Sequence, residues 1–254
     1  MYKRVLLKLS GEALAGLTPS QDKAFGIHQG MLEKIAGDIK AVYNQGVQIC
    51  LVVGGGNIYR GIQGMHHTGM DRSTSDHMGM LATIMNAVAL QNALEQAGMP
   101  CRVMSAIPMP TLCEEYSRRR AVHHLSKNRV VIFAGGTGSP YFTTDSAAAL
   151  RASEMDCDLL LKATKVPGVF CSDPVHNKDA KLFKQITYGA ILEKKLKVMD
   201  ATAIALIQES GIPIAVFSIY ETDGFAKVLN HEGQFTLISN QIKNEGDGCH
   251  VACG

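Results

Sequence analysis

Three short apolar runs of this 254-residue chain end in glycine-rich turns: Lys8-Leu9-Ser10-Gly11, Gly54-Gly55-Gly56-Asn57 and Gly135-Gly136-Thr137-Gly138-Ser139. Glycine lets a backbone approach an anion closely, and amides at a following helix start point at it, so these turns offer phosphate binding. Charged side chains stand beside each of them. Lys8 lies inside the first apolar run, where an unpaired ammonium is costly to desolvate; it either meets an anion or snorkels to solvent from an edge. Arg60 follows the triple glycine by four residues, within reach of an anion held there, unless it is a solvated surface group. Asp145 falls at a helix start beyond the third turn and Asp76 at the head of a long helix. Each is either a cap or a carboxylate that orients cations. No GxxxxGK[ST] occurs and no turn completes GxGxxG, so the cradle is neither a P-loop nor a dinucleotide fold's.

Such turns need elements to carry them. Runs rich in Val, Ile and Leu at Val5–Leu9, Val47–Val53, Arg102–Ile107, Val130–Ala134, Leu159–Lys162 and Ile212–Ser218 read as strands. Between them, apolar residues recur at three- and four-residue spacing over Met31–Asn44, Ser75–Gln96, Thr111–Ser126, Asp145–Glu154 and Ala201–Glu209, which predicts helices. Gly46 and Gly98 stand where helices stop, and Ser75 or Asp76 is placed to cap the long helix. Near-continuous apolar strands alternating with helices imply the α/β class, with a mainly parallel sheet covered on both faces. The carboxyl edge of such a sheet gathers the three turns at one place. From Thr164 to about Thr187 the signals Pro167-Gly168, Asp173-Pro174 and Asn177-Lys178 predict hairpins or loops, and a lobe boundary falls near Ala163.

Hydrophobic residues make up 46% of the chain and charged ones 19%, and no apolar run approaches the ~18 residues a membrane span needs. Collagen-like, disordered and membrane-spanning classes are excluded. Lys8 interrupts the first apolar stretch after three residues, so no secretory core is built and the chain reads as cytoplasmic. Twenty-five Lys and Arg against 23 Asp and Glu leave a net charge of +2, too small for a nucleic-acid footprint. Seven scattered cysteines without a CxxC pair argue against a disulfide framework or a zinc ribbon. The end Cys249-His250-Val251-Ala252-Cys253 has metal-ligand types, but it follows a loop-like stretch and reads as part of a flexible tail over 241–254.

Several motifs carry more information together than singly. They are Lys8-Leu9-Ser10-Gly11-Glu12-Ala13-Leu14, Gly54-Gly55-Gly56-Asn57-Ile58-Tyr59-Arg60-Gly61, Asp76-His77-Met78-Gly79-Met80-Leu81-Ala82-Thr83, Gly136-Thr137-Gly138-Ser139-Pro140-Tyr141-Phe142-Thr143-Thr144-Asp145, Leu161-Lys162-Ala163-Thr164-Lys165-Val166 with Asp173-Pro174, and Leu196-Lys197-Val198-Met199-Asp200. In this order, over about residues 2 to 238, the chain resembles the bacterial uridylate kinases of the amino-acid kinase superfamily.

The resemblance implies the amino-acid kinase fold, a three-layer sandwich forming a single domain over 1–240, with an acceptor-binding lobe at about 1–162 and an ATP-binding lobe at about 163–240. It implies transfer of the γ-phosphoryl group of ATP to UMP, giving UDP and ADP in pyrimidine nucleotide biosynthesis, with Mg²⁺ on the nucleotide phosphates and a homohexameric assembly. Carried over by position, Lys8, Leu9, Ser10, Gly11, Gly56 and Arg60 match the ATP phosphate site, and Thr164, Phe170 and Asp173 the surroundings of the ATP nucleoside. Gly55, Asp76, Thr137, Gly138, Ser139, Pro140, Tyr141, Phe142, Thr143 and Thr144 match the UMP site, with Asp76 toward the ribose hydroxyls. Lys8, Arg60 and Asp145 form the implied catalytic group, Asp145 orienting Lys8. Lys162 or Lys197 is the candidate second cation, and spacing does not choose between them.

This chemistry needs no general base, because the acceptor phosphate is already ionised near pH 7; alignment and charge neutralisation remain. The chain departs from the family's pattern at Pro167, Ser139 and His28, in a longer loop from Gly16 to Ala24, and in its extended tail. Gln91 and Glu95 stand where some relatives carry basic residues associated with GTP activation, so weak GTP control is expected. Two other functions compete: a carbamate or amino-acid kinase of the same superfamily, and a nucleotide-binding or oxyanion-storage protein on this fold. The uridylate-type Asp76-His77-Met78-Gly79 opposes the first, and retention of both Lys8 and Asp145 the second.

Overall fold

Strand residues that alternate between two buried faces assemble one sheet with helices on either side. The structure, a computed structural model, describes residues 2–16, 25–60, 69–173, 176–177 and 179–242. Gly61, most of the Gly16–Ala24 loop, Pro174, Lys178 and the tail beyond 242 lie outside them. The strands are β1 Arg4–Leu9, β2 Gln48–Val53, β3 Cys101–Ser105, β4 Glu114–Glu115, β5 Val130–Ala134, β6 Leu159–Thr164, β7 Gln185–Thr187, β8 Ile214–Ser218 and β9 Phe235–Ser239. The helices are α1 Gly11–Leu14, α2 Gln29–Tyr43, α3 Arg72–Gln96, α4 Arg118–Ser126, α5 Thr144–Glu154, α6 Tyr188–Glu193, α7 Ala201–Ser210 and α8 Gly224–Leu229.

The nine strands run in the order β4-β3-β5-β2-β1-β6-β8-β9-β7, parallel throughout except where β8 meets β9. This is the expected mainly parallel α/β sandwich. In β1, Val5, Leu7 and Leu9 pack toward α2, α3 and α8, while Leu6 packs toward α5 and α7. Lys8 shares the Leu6 face by the two-residue pleat. The same alternation in β6 puts Lys162 on the Leu160 face, and Lys8 and Lys162 are register partners on adjacent strands. Ala147, Ala148, Ala149 and Ala152 let α5 lie close against the sheet there.

Two local expectations are corrected, and one of the two readings of Asp145 drops out. The helix expected over Thr111–Ser126 begins only at Arg118, because the backbone N–H of Tyr116 donates to Ser105 O at 2.8 Å and draws Glu114–Glu115 alongside β3 as an edge strand. The long helix α3 starts at Arg72, its cap being Asp71, which accepts from Thr74 N; neither Ser75 nor Asp76 caps it. Asp145 does not cap α5 either, since Thr143 accepts from the amides of Asp145 and Ser146, leaving the Asp145 carboxylate for other partners. The interrupted stretch after β6 holds an isolated bridge, Phe170 to Leu182. Gly46 and Gly98 both take left-handed φ where α2 and α3 end.

Candidate functional site

Parallel strands deliver their carboxyl ends to one edge, and the three glycine turns meet there. The turn after β1 touches the turn after β2 so closely that a Cβ on Gly11 would lie 2.5 Å from Asn57 Oδ1 and 2.6 Å from Gly56 N. Gly54 N donates to Leu9 O at 2.9 Å, stitching the two turns together. The β2 turn presses equally hard on α3: a Cβ on Gly55 would be 2.7 Å from Gly79 O.

Helix α3 holds the turns through two buried polar side chains. Asn86 Nδ2 donates to Gly54 O and to Asn57 Oδ1, each at 2.7 Å, and Asn57 Nδ2 reaches Gly26 O. One turn away, Thr83 Oγ1 accepts from Gly135 N at 2.8 Å while donating to Met80 O. Both side chains are buried; Thr83 stands in the Asp76–Thr83 motif without a role of its own, and Asn86 in no motif. The signal was there, in two polar residues on the inward face of an otherwise apolar helix stripe.

At the end of β1 the site becomes electrostatic. Lys8 Nζ lies 2.7 Å from Asp145 Oδ1, and Lys162 Nζ donates to Asp145 Oδ2 at 2.7 Å and to Val198 O. These side chains are only 9%, 15% and 13% exposed for Lys8, Asp145 and Lys162. Burial by itself would raise the Asp145 carboxyl, but the two ammonium groups outweigh it and hold it below the ordinary carboxylate value. Burial also pushes the Lys162 ammonium below the usual lysine value, with Lys8 adding to the effect and Asp145 opposing it. The structure therefore brings Lys162 to the cluster, while Lys197 is exposed on the loop before α7.

Two neighbours extend this charge network. Asp200 caps α7 through Ala203 N and accepts from Thr143 and Ser146 hydroxyls, tying α7 to the start of α5. Glu12 pairs with Arg60 and, at 2.7 Å, with Lys165. Its hydrogen bond from Lys165 leads the causes that hold its carboxyl below the ordinary value. Arg60 Nε also donates to Gly56 O at 3.0 Å. Glu12 and Asp200 carried no role in the sequence reading, since a glutamate in a first helical turn and an aspartate before a helix are both ordinary end signals.

Beside the cluster opens a cavity of about 150 Å³, lined among others by Gly55, Gly56, Asp76, Gly79, Thr143 and Thr144. Phe142 also lines it. Asp76 is held from two sides: Arg72 Nε lies 2.9 and 2.8 Å from its oxygens, and Tyr141 N donates to Oδ2 at 2.8 Å. Tyr141 itself takes φ +72°, a left-handed conformation unusual for a bulky residue, with the Arg72 guanidinium 5.6 Å from its ring. Thr137 Oγ1 accepts from Ser139 N, Gly138 turns at φ +81° against Ala106, and Pro140 leads into Tyr141. Of the residues expected around the second nucleotide, Thr164 ends β6 with its hydroxyl on Val166 O. Phe170 lies in the excursion after β6, and Asp173 is exposed there.

Chemically, the edge combines backbone amides, two ammonium groups fixed by one carboxylate, a guanidinium, and a cavity lined by the Asp76 carboxylate. It suits two anionic ligands meeting near Lys8.

Known proteins share this architecture and much of this sequence. Residues 3–218 match the model of the amino acid kinase family. A uridylate kinase of Cereibacter sphaeroides is 54% identical over 237 residues, covering 93% of this chain and 94% of the relative. One of Rickettsia massiliae is 55% identical over 93% of this chain and 96% of its own. Among solved structures, the UMP kinase of Bacillus anthracis superposes with a TM-score of 0.90 at 39% identity, over 95% of this chain and 97% of its own. That of Ureaplasma parvum gives 0.87 at 38%, over 94% of this chain and all of its own.

Proposed function

The chain belongs to the amino acid kinase family, in its uridylate kinase group, and from that premise we propose how the carboxyl edge divides the work. The reaction is transfer of the γ-phosphoryl group of ATP to UMP, giving UDP and ADP. The donor phosphates lie along Lys8, Ser10, Gly11, Gly56 and Arg60, and UMP occupies the cavity floored by α3, with its ribose hydroxyls on Asp76. The observation that carries this division is the buried Lys8–Asp145–Lys162 cluster standing beside that cavity, joined to it through Thr144.

Both substrates arrive as anions, and the acceptor oxygen is already a nucleophile, so the side chains act by position and charge. Lys8 bridges toward the oxygens of the transferring group, where negative charge spreads in the transition state. Asp145 keeps Lys8 and Lys162 extended toward the edge and prevents their mutual repulsion from driving them apart. Asp200 holds α5 and α7 in place around them.

Both Asp145 oxygens face ammonium groups, so that carboxylate offers no open side to a metal ion, whereas the turns and cations suit phosphate oxygens. Mg²⁺ brought with ATP would be held through the nucleotide phosphates that Lys8, Ser10, Gly11, Gly56 and Arg60 face, and would supply charge neutralisation there. The lobes of about 1–162 and 163–240 correspond to acceptor and donor halves. Exposed Leu81, Met85 and Val88, spaced four and three residues apart on α3, form an apolar stripe that suits self-association, in line with a homohexamer. Free Cys50, Cys101, Cys113, Cys157 and Cys171 fit the reducing cytoplasm. No helix among the described residues is long and apolar enough to cross a membrane.

The test is ADP release with UMP, CMP, AMP and small acids as acceptors. UMP is expected to give by far the highest kcat/KM, because buried polar groups matched to one base edge and a ribose hydroxyl are left unpaired by another ligand. Comparable kcat/KM for CMP, or a preference for a small acid, contradicts the reading.

A further inference from the structure

We propose that Gly79 is an acceptor-binding position of the cavity: the side chain it lacks is the space in which the nucleoside monophosphate lies against α3. The inference rests on the reading of that cavity as the UMP site.

Four glycines line the cavity, Gly55, Gly56, Gly79 and Gly136. The protein itself requires two of them. Gly136 turns at φ +60°, and a Cβ on Gly55 would strike Gly79 O and lie 2.8 Å from Ala82 Cβ. Gly56 sits in a turn, where glycine is commonplace, and its added Cβ would touch only Arg60 at 3.9 Å.

Gly79 fits neither explanation. It is inside the 25-residue helix α3, its φ is not positive, and apart from its chain neighbours and the backbone of its own helix no described atom lies within 4 Å of where its Cβ would be. Glycine is less stable than alanine in a helix interior, so on the protein's own packing alanine is the better residue here. Gly37 of α2 is equally unobstructed but exposed to solvent, whereas the space beside Gly79 is the cavity. The contents of the cavity are then what a side chain at 79 would displace.

The helix repeat says which ligand is affected. Asp76, Gly79, Met80 and Thr83 fall on one face at spacings of three and four, and all four line the cavity. A ligand whose hydroxyls reach Asp76 must run past the backbone of Gly79, one turn further along. The donor phosphates, placed along Lys8, Ser10, Gly11, Gly56 and Arg60, meet the cavity only at its Gly56 side and lie on none of these four helix residues.

The experiment compares wild type, Gly79→Ala and Gly79→Leu in thermal midpoint and in KM for UMP and ATP separately. Gly79→Ala should melt at or above the wild-type midpoint yet raise KM for UMP about tenfold or more, with a larger rise in Gly79→Leu and KM for ATP within about twofold. Gly79→Ala carries the test if Gly79→Leu does not fold. Unchanged KM for UMP in a stably folded Gly79→Ala overturns the inference. So does a lowered midpoint in that variant, which would make the glycine a requirement of packing, or a rise confined to KM for ATP. Failure of the wild type to phosphorylate UMP would instead count against the underlying functional reading, so the two failures are distinct.

Discussion

Lys8 and Lys162 face the same side of neighbouring strands, and only the carboxylate between them makes so close a pair of buried ammonium groups tenable. The burial of Lys162 has a consequence in pH. Its ammonium is lowered from the ordinary lysine value, so its charge is lost at a lower pH than that of an ordinary lysine. The kcat profile should therefore fall on its alkaline side before an ordinary lysine would titrate, and in Lys162→Arg, whose charge persists, that fall should move upward or vanish. Identical alkaline limbs in the two proteins would remove Lys162 from the charge cluster. Lys8 was legible in the sequence because a lysine in an apolar strand is out of place, whereas Asp145 at a helix start read equally as a cap or as a carboxylate that orients cations, and its catalytic part came from the resemblance. The choice of Lys162 over Lys197 was not legible, since it depends on which strand pairs with β1.

Helix α3 is the element on which the site is assembled. Its Thr83 and Asn86 hold the turns after β5 and β2, and its Asp76 and Gly79 form one wall of the cavity. Thr83→Val should leave the buried N–H of Gly135 unpaired and cost about 1–3 kcal/mol, whereas Thr83→Ser should stay near the wild type. Denaturant unfolding of the two variants checks this, and equal stabilities would show that the hydroxyl does not anchor the turn. The periodicity of α3 was plain in the sequence over most of its length. The misreading of residues 111–117 as helix has a tertiary cause, because Tyr116 N finds its acceptor on β3 rather than four residues back. The three-residue strand β7 offers too little pattern to be recognised alone, and β9, whose apolar residues are broken by Thr236 and closed by Ser239, lacks the continuous apolar run by which the predicted strands were read.

Across the whole molecule, the sheet edge separates a charged side at β1 and β6 from a cavity side at α3 and β5. A second cavity of about 480 Å³, lined among others by Gln91, Arg102, Glu114, Glu115 and Arg120, lies away from that edge, beside β3 and β4. Arg102 there has Glu95 at 3.7 Å and Glu114 at 3.8 Å, so its charge is already answered. Near the position that the resemblance links to GTP, this disfavours a triphosphate, and millimolar GTP at subsaturating ATP should change the initial rate less than about twofold. A saturable, several-fold rise would mean that other basic residues build an effector site. The central claim is the division of labour along the edge, and the most direct measurement is steady-state kcat and KM for UMP in Lys8→Ala and Asp76→Ala. Lys8→Ala should lose about 10²–10³-fold in kcat with KM for UMP near the wild type, and Asp76→Ala should chiefly raise that KM. An almost unchanged kcat in Lys8→Ala, or a pure kcat defect in Asp76→Ala, would contradict the account.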